Sequence, residues 1–224
     1  MIKRYTGLIA CALLFAAIRS PALAGPAEEA RTHVDMAQAT LSNFLRDPNM
    51  SWIQANLANA KGVLIVPKVV KVGFVFGGSG GRGVLLVRGD GGKWNGPAFY
   101  TLGTTSVGFQ AGVAVSEVVI LVMTDKGLNS LLSNSMKVGG DASVAAGPTG
   151  QGASSSVSED LVSFSRSKGL YGGLNIDGSS IKPVDDWNSA YYGKPVQTTD
   201  ILIKGNVHNK QADKLLKTVT AGKA

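Results

Sequence analysis

The stretch GVLIVPKVVKVGFVFGGSGGRGVLLVR, residues 62–88, decides the fold. It is a succession of short apolar runs rich in valine, and glycine or proline separates most of them. Runs of this length and composition favour strands over helices. Antiparallel pairing is expected, because parallel strands need a crossover of about a dozen residues or more. The run GGSGGRG, residues 77–83, is interpreted as a glycine-rich turn between two strands.

Further apolar runs continue to residue 124, with a hairpin signal at Asp90-Gly91. Helical patterns flank this strand-rich region. Residues 26–60 carry apolar residues at three- and four-residue steps, and Asp47-Pro48 ends the first helix. A last amphipathic helix is predicted over residues 206–219.

Between these ends, Asp125 is predicted to cap a short helix that runs through Leu132. Residues 147–160 are predicted to form a surface loop, and residues 185–203 irregular or short helical structure. The expected fold class is α+β. We expect a single domain in which a mainly antiparallel, glycine-rich, barrel-like sheet packs with N-terminal and C-terminal helices.

Two catalytic fingerprints overlap in the glycine run. Residues 78–83 spell G-x-G-x-x-G, the dinucleotide-binding pattern, and residues 77–81 spell G-x-S-x-G, the nucleophile elbow of hydrolases. Both need a helix directly after the glycines, yet a β-type run, VLLVRGDGG, follows. The dinucleotide pattern also lacks the acidic residue expected about 20 positions later. Neither activity is predicted.

Other catalytic or metal-binding groups are sparse. The only histidines are His33, on the predicted N-terminal helix, and His208, in the predicted last helix. No His, Asp and Glu cluster has metal-ligand spacing, and Asp185-Asp186 is interpreted as a solvated turn. The sequence therefore predicts a protein that is not an enzyme and needs no cofactor or metal.

The N-terminus is typical of an export signal. A basic start is followed by an apolar stretch over residues 7–18 and by the A-x-A site Ala22-Leu23-Ala24. We predict a signal peptide over residues 1–24 and a periplasmic or secreted mature chain over residues 25–224. Lipid attachment at Cys11, the single cysteine, is the less favoured alternative.

Positive charge is concentrated between residues 61 and 93. This segment holds six bases and one acid, a formal charge of +5 out of +7 for the whole chain. An ordinary solvated surface is the alternative, but local basicity indicates an anionic partner. The bases are expected around one region, where backbone amides of Gly78, Ser79 and Gly80 would cradle a phosphate. The candidate bases are Lys61, Lys68, Lys71, Arg82, Arg88 and Lys93.

The longer string of residues 60–88, followed by WNGPAFYTLGTTSVGFQAGV, closely resembles the SYLF domain family. Later segments continue the resemblance, among them VMTDKGLNSLL, GGDASVAAGPTG, FSRSKGLYGGLNIDGS and YYGKPV, so that it covers residues 35–203 approximately. The resemblance implies binding of lipids, phosphoinositides in eukaryotic members. Fungal members bind actin, which is not expected as a partner of an exported bacterial-type protein.

Some members use an amphipathic N-terminal helix for membrane contact. Here that helix carries Glu28, Glu29 and Asp35 against two arginines, so its polar face is not the basic one that anionic lipid favours. The loop bases are therefore the better candidates.

We predict binding of anionic phospholipid, with phosphoinositide-like or phosphatidic-acid-like headgroups, at a membrane surface. The alternative is an envelope scaffold or protein-interaction module. Nucleic acid is not expected as a partner, and the oligomeric state stays open.

Overall fold

Four long antiparallel strands form the centre of the molecule. The computed structural model describes residues 25–73, 76–107, 112–151 and 157–222. The strands are β1 (Gly62–Gly73), β2 (Phe76–Arg88), β3 (Trp94–Val107) and β4 (Gly112–Val122), in the spatial order β3-β2-β1-β4. The predicted antiparallel pairing is confirmed for these strands. The glycine run 77–83 lies inside β2, so its interpretation as a turn is wrong.

Shorter strands extend the sheet on both sides and complete a curled half-barrel. They are β5 (Met136–Lys137), β6 (Val144–Ala146), β7 (Leu161–Ser167), β8 (Leu170–Gly173) and β9 (Ser180–Pro183). The order across the sheet is β5-β9-β3-β2-β1-β4-β7-β6, and β8 pairs with β7. The pair of β6 and β7 is parallel, an exception to the antiparallel expectation.

The predicted helices are present, with some different ends. They are α1 (Pro26–Arg46), α2 (Ser51–Asn56), α3 (Asp125–Leu132), α4 (Asp185–Tyr192), α5 (Thr198–Leu202) and α6 (Asp213–Ala221). The first helix ends before Asp47-Pro48, as predicted. Thr124, and not Asp125, caps α3, because its hydroxyl oxygen accepts the backbone N–H of Gly127 at 3.0 Å. The last helix starts seven residues later than predicted, at Asp213.

The sheet is buried on both faces over one half of its length. Since side chains alternate between faces along a strand, Val63 and Ile65 join the core under α1 and α2, whereas Leu64 and Val66 join the core with α3 and α5. The predicted apolar stripe of α1 is buried against this sheet. The fold is thus the expected α+β domain. The predicted signal peptide and Cys11 lie outside the described residues.

A register shift at Pro67 divides the long strands. The pairing of β1 with β2 and with β4 is interrupted between residues 65 and 69. At this bulge the backbones are close, because a Cβ on Gly81 or Gly83 would collide with the carbonyl oxygen of Lys68 or Ile65. We call residues 62–66, 83–88, 94–100 and 118–122 the buried half, and residues 68–73, 76–82, 101–107 and 112–117 the distal half.

Candidate functional site

The six predicted bases fall into two groups at opposite ends of the long strands. Lys61, Arg88 and Lys93 lie at the end of the buried half, whereas Lys68, Lys71 and Arg82 lie in the distal half. At about 3.3 Å per residue, the seven residues from Lys61 to Lys68 span roughly 20 Å. The expectation that all six bases surround one region is therefore wrong.

Two bases of the first group have partners within the fold. Lys61 Nζ lies 3.1 Å from Asp125 Oδ1, and the Arg88 guanidinium donates to the carbonyl oxygen of Ala58. These contacts connect the strand ends to the adjacent helical segments. Lys93 is exposed, and its side chain forms no ion pair within the described part of the chain, although its backbone carbonyl accepts the N–H of Gly89 at 2.8 Å.

Lys68 and Arg82 are neighbours on one face of the distal half. They are directly opposite in the register of β1 and β2, so both side chains point to the side covered by α1. Arg82 Nη1 lies 4.0 Å from Glu29 Oε2, and the guanidinium carbon lies 4.5 Å from the centre of the Trp187 ring. Lys68 forms no ion pair with any described residue.

Valines on the same face extend beyond the edge of α1. Val70 lies opposite Val115, and Val72 lies opposite Val113, in the register of β1 and β4. Val72, Val113 and Val115 are 54%, 70% and 48% exposed. Because these valines are neighbours on one face, they form a continuous exposed apolar patch.

Glycines complete this surface across β2 and β3. Gly80 lies opposite Val70 and Gly103, and Gly78 lies opposite Val72. A Cβ on Gly103 would meet nothing within 4 Å, and the nearest atoms to a Cβ on Gly78 or Gly80 would be at 3.5 and 3.4 Å, so the fold leaves room for side chains there. We call this surface the distal face: Lys68, Val70, Val72, Gly78, Gly80, Arg82, Gly103, Val113 and Val115.

The amide cradle predicted at Gly78, Ser79 and Gly80 does not form. These residues pair with β1 on one side and with β3 on the other, so their backbone groups belong to the sheet ladders. The sequence pattern predicted a turn and not a strand here, because glycine-rich segments usually form turns. A glycine strand flanked by two long valine-rich strands is an exception.

The reverse side of the distal half carries hydroxyl groups and one more base. Ser79 lies opposite both Lys71 and Thr104, and the Thr104 hydroxyl lies 2.6 Å from that of Ser179. Ser79 also lines a cleft of about 410 Å³ at this edge. The other residues lining this hydroxyl cleft are Thr101, Gly103, Thr104, Gly178, Ser180 and Lys182.

Electrostatic coupling connects the bases of the distal face to α1. The His33 ring makes an edge contact with Trp187, with ring centres 4.8 Å apart. Burial lowers the pKa of His33, and the charges of Arg82 and Lys68 lower it further, against a hydrogen bond to the Glu29 carbonyl that raises it. His33 is therefore biased towards the neutral form beside these cations.

Neither histidine belongs to a group of side chains that could bind a metal ion among the described residues. His33 lies on α1 as predicted, whereas His208 precedes α6 and pairs with Asp213 at 3.0 Å. Within the described ranges, no group of three or more His, Cys, Asp or Glu side chains could hold a metal ion. None of the helices in the described part of the chain is long and apolar enough to cross a membrane.

The chain folds as a small α+β domain with an exposed, partly apolar face on its sheet. Residues 103–222 match the Ysc84 family, described as Las17-binding protein actin regulator, and the chain belongs to this family. The resemblance to SYLF proteins is thereby confirmed. The family description is that of a binding protein and regulator and names no reaction, in keeping with the expectation of a binding module.

Curated relatives are longer than this chain. SH3 domain-containing YSC84-like protein 1 of Bos taurus is 30% identical over 164 residues, which cover 71% of this chain and 48% of the relative. Protein YSC84 of Saccharomyces cerevisiae is 31% identical over 158 residues, 67% of this chain and 33% of the relative. The chain thus spans about half of these relatives' length or less. No solved structure matches it.

Proposed function

We propose that this protein binds anionic phospholipid at a membrane surface through the distal half of its sheet, without catalysing a reaction. The observation that carries the proposal is the exposed valine pairs beside Lys68 and Arg82, where α1 no longer covers the sheet. Apolar side chains that enter the interfacial region and cations that meet lipid phosphates are the two components of peripheral membrane binding. We propose a periplasmic or secreted location, peripheral to the membrane.

Electrostatics favours the distal half over α1 as the contact surface. Lys68 and Lys71 form no ion pairs within the described residues, and each base near an anionic membrane contributes about 1 kcal/mol. The first turn of α1 carries Glu28 and Glu29, which would be repelled by the same membrane. Lys68, Lys71 and Arg82 are therefore the bases that would contact the lipid.

The hydroxyl cleft is suited to a polar headgroup. Ser79, Thr104 and Ser180 offer hydroxyl groups that donate to phosphate oxygens or exchange hydrogen bonds with inositol hydroxyls. Lys182 in the cleft and Lys71 in the strand opposite Ser79 supply positive charge. These groups support phosphoinositide-like or phosphatidic-acid-like headgroups as the preferred ligands.

Vesicle flotation tests the proposal. We expect recovery with phosphatidylglycerol, phosphatidic acid or phosphoinositide vesicles, little recovery with phosphatidylcholine vesicles, and loss of binding as salt rises from 0.05 to 0.5 M, about a threefold shorter Debye length. Equal recovery with neutral and anionic vesicles, or recovery that salt leaves unchanged, would contradict it.

Charge reversal identifies the surface. The triple variant Lys68→Glu, Lys71→Glu, Arg82→Glu should lose anionic-vesicle binding by two orders of magnitude or more, since three contributions of about 1 kcal/mol are removed and reversed. The matched control reverses three exposed lysines carried by helices and their connections: Lys194→Glu, Lys204→Glu and Lys214→Glu. Equal losses in both variants would show that net charge, and not the distal half, drives binding.

A protein-interaction module is the second candidate, because the family is described as Las17-binding. In that case the exposed valines would contact a protein. Val72→Asp with Val113→Asp would then abolish capture of a purified partner, while the three charge reversals would leave it intact. The lipid proposal predicts that both sets of changes reduce flotation with anionic vesicles.

A further inference from the structure

A second candidate site lies at the opposite end of the sheet from the distal face. The β2–β3 turn, the start of β3, the segment before α6 and α6 itself enclose a cleft of about 660 Å³. Pockets for small molecules usually measure about 300–1,000 Å³. The residues that line this α6 cleft are Gly92, Lys93, Trp94, Asn95, Gly96, Gly205, Val207, His208, Asp213, Leu216, Lys217, Thr220 and Ala221.

The wall of the α6 cleft is largely apolar. Trp94 is buried at its base, and Leu216 and Val207 are half-buried along its sides. Ala221 continues the apolar surface along α6. Such a wall favours an alkyl chain or another apolar body, since burial contributes about 25 cal/mol per Å² of apolar surface.

The charge at the rim of the cleft is positive. Lys93 and Lys217 are exposed and have no ion-pair partner within the described part of the chain. The carboxylate at the rim, Asp213, already pairs with His208. Two uncompensated ammonium groups beside an apolar wall are complementary to a ligand with an anionic head and an apolar tail.

Three glycines and one hydrogen bond shape the rim of the cleft. Gly92, Gly96 and Gly205 have φ of +78°, +126° and +58°, a region that glycine adopts readily. At Gly205 a Cβ would lie 2.8 Å from the side-chain oxygen of Asn95, whose amide donates to the carbonyl of Leu202 at 3.1 Å. The hydrogen bond from Asn95 to Leu202 orders this part of the rim, which lowers the ordering cost of binding there.

We propose that the α6 cleft binds a single-chain amphipathic carboxylate of the fatty-acid type. The chain would lie over Trp94 and Leu216, and the carboxylate would contact Lys93 and Lys217. This site takes individual molecules from solution and does not rest on the membrane contact of the distal face. It also gives Lys93, which lies far from Lys68 and Arg82, a separate role.

Titration with three probes of equal chain length tests the chemistry. Below their micellar concentrations, dodecanoate, dodecanol and dodecyltrimethylammonium are added to the full chain and binding is measured by calorimetry. We expect dodecanoate to bind at least tenfold more tightly than dodecanol, and the cation to bind least. No dodecanoate binding at the highest monomeric concentration, or equal affinity for all three probes, would overturn the proposal.

Variants locate the site. Lys93→Gln with Lys217→Gln should reduce dodecanoate affinity at least tenfold and leave dodecanol affinity unchanged. Thr220→Trp, at an exposed rim position, should block both probes. Unchanged dodecanoate binding in both variants would place the ligand elsewhere and overturn the assignment.

A reciprocal control separates this site from the membrane surface. Lys68→Gln with Lys71→Gln should leave dodecanoate affinity unchanged and reduce anionic-vesicle flotation. If the unsubstituted chain binds dodecanoate but does not float with anionic vesicles, the proposed function alone is contradicted. Loss of dodecanoate binding in the Lys68 and Lys71 variant would contradict the α6-cleft site.

Discussion

The long strands differ on the two sides of the bulge at Pro67. In the buried half, Val84, Val119 and Ile65 are completely covered, whereas in the distal half Val72 and Val113 are more than half exposed. The residue type is the same, and it favours extended backbone in both halves. Strand propensity therefore accounts for the whole sheet, while burial stabilises one half and leaves valines of the other half exposed.

The largest effect should come from glycines, which differ between the bulge and the uncovered face of the distal half. Gly83→Ala should lower the free energy of unfolding by about 3 kcal/mol, because the new Cβ would meet the Ile65 carbonyl oxygen and the Val66 side chain. Gly103→Ala should leave stability unchanged or raise it by roughly 0.5–1 kcal/mol, since nothing lies within 4 Å of its Cβ. Urea unfolding of both variants measures the difference. Equal destabilisation would mean that the distal half is packed as tightly as the buried half.

The glycine run also shows what the sequence could predict. Periodicity and valine content correctly predicted the helices and the apolar parts of the long strands, which depend on local backbone preference, and the short connections correctly predicted antiparallel pairing of β1 to β4. The pattern could not distinguish glycines required by the bulge, such as Gly81, from glycines on an uncovered face, such as Gly78. That distinction depends on which strand pairs with which, and the register is a tertiary property.

The candidate site was only partly predictable for a related reason. The charges between residues 61 and 93 are visible in the sequence. In the fold, however, Lys61 and Lys68 lie at opposite ends of the buried half of β1. The exposed valines were indistinguishable from core valines, because exposure depends on where α1 ends over the sheet. The α6 cleft brings Lys93 and Lys217 together from segments distant in sequence.

The second prediction compares two valines on one face of β4. Val119→Ala should lower the free energy of unfolding by about 2 kcal/mol, through lost burial and a residual cavity. Val113→Ala, six residues earlier and 70% exposed, should change it by less than about 0.5 kcal/mol. Chemical denaturation measures stability, and flotation with anionic vesicles supplies the second readout. Val113→Ala should reduce binding to anionic vesicles without lowering stability. A stability loss for Val113→Ala as large as that for Val119→Ala would refute the division into two halves.

The third prediction concerns the polar network that closes the buried half. Asp160 accepts hydrogen bonds from the Thr124 hydroxyl at 2.5 Å and from the Ser143 backbone N–H and hydroxyl at 2.9 and 3.0 Å, and Lys126 Nζ lies 3.3 Å away. Burial by itself would raise the pKa of Asp160, but these donors outweigh it and lower the pKa from 3.8 to about 2. The ionised carboxylate therefore stabilises the fold above pH 3.8, and this contribution is lost as the pH falls towards 2.

Asp160→Asn tests the network. At pH 7 the variant should lose roughly 1.5 kcal/mol of stability, since a charged acceptor is replaced by a neutral one. The difference from the unsubstituted chain should shrink as the pH falls through 3.8 towards 2, where Asp160 becomes protonated as well. Urea unfolding at a series of pH values measures this. A difference that stays constant across that range would contradict the assigned pKa shift.

The smallest effect should be a pH dependence of membrane binding at the edge between the two halves. His33 on α1 faces Glu29 on the same helix, Trp187 on α4, Lys68 on β1 and Arg82 on β2, and burial and these cations lower its pKa from 6.5. An anionic membrane at Lys68 and Arg82 should raise the pKa of His33 again, so affinity should increase as the pH falls from 7.5 to 5.5. One additional cation near the surface contributes about 1 kcal/mol, an increase of at most fivefold. The measurement uses phosphatidylglycerol vesicles, because their phosphate does not titrate in this range. The variant His33→Gln is the control and should show no pH dependence. A fall in affinity on acidification, or an equal rise in His33→Gln, would exclude His33 as the source of the effect.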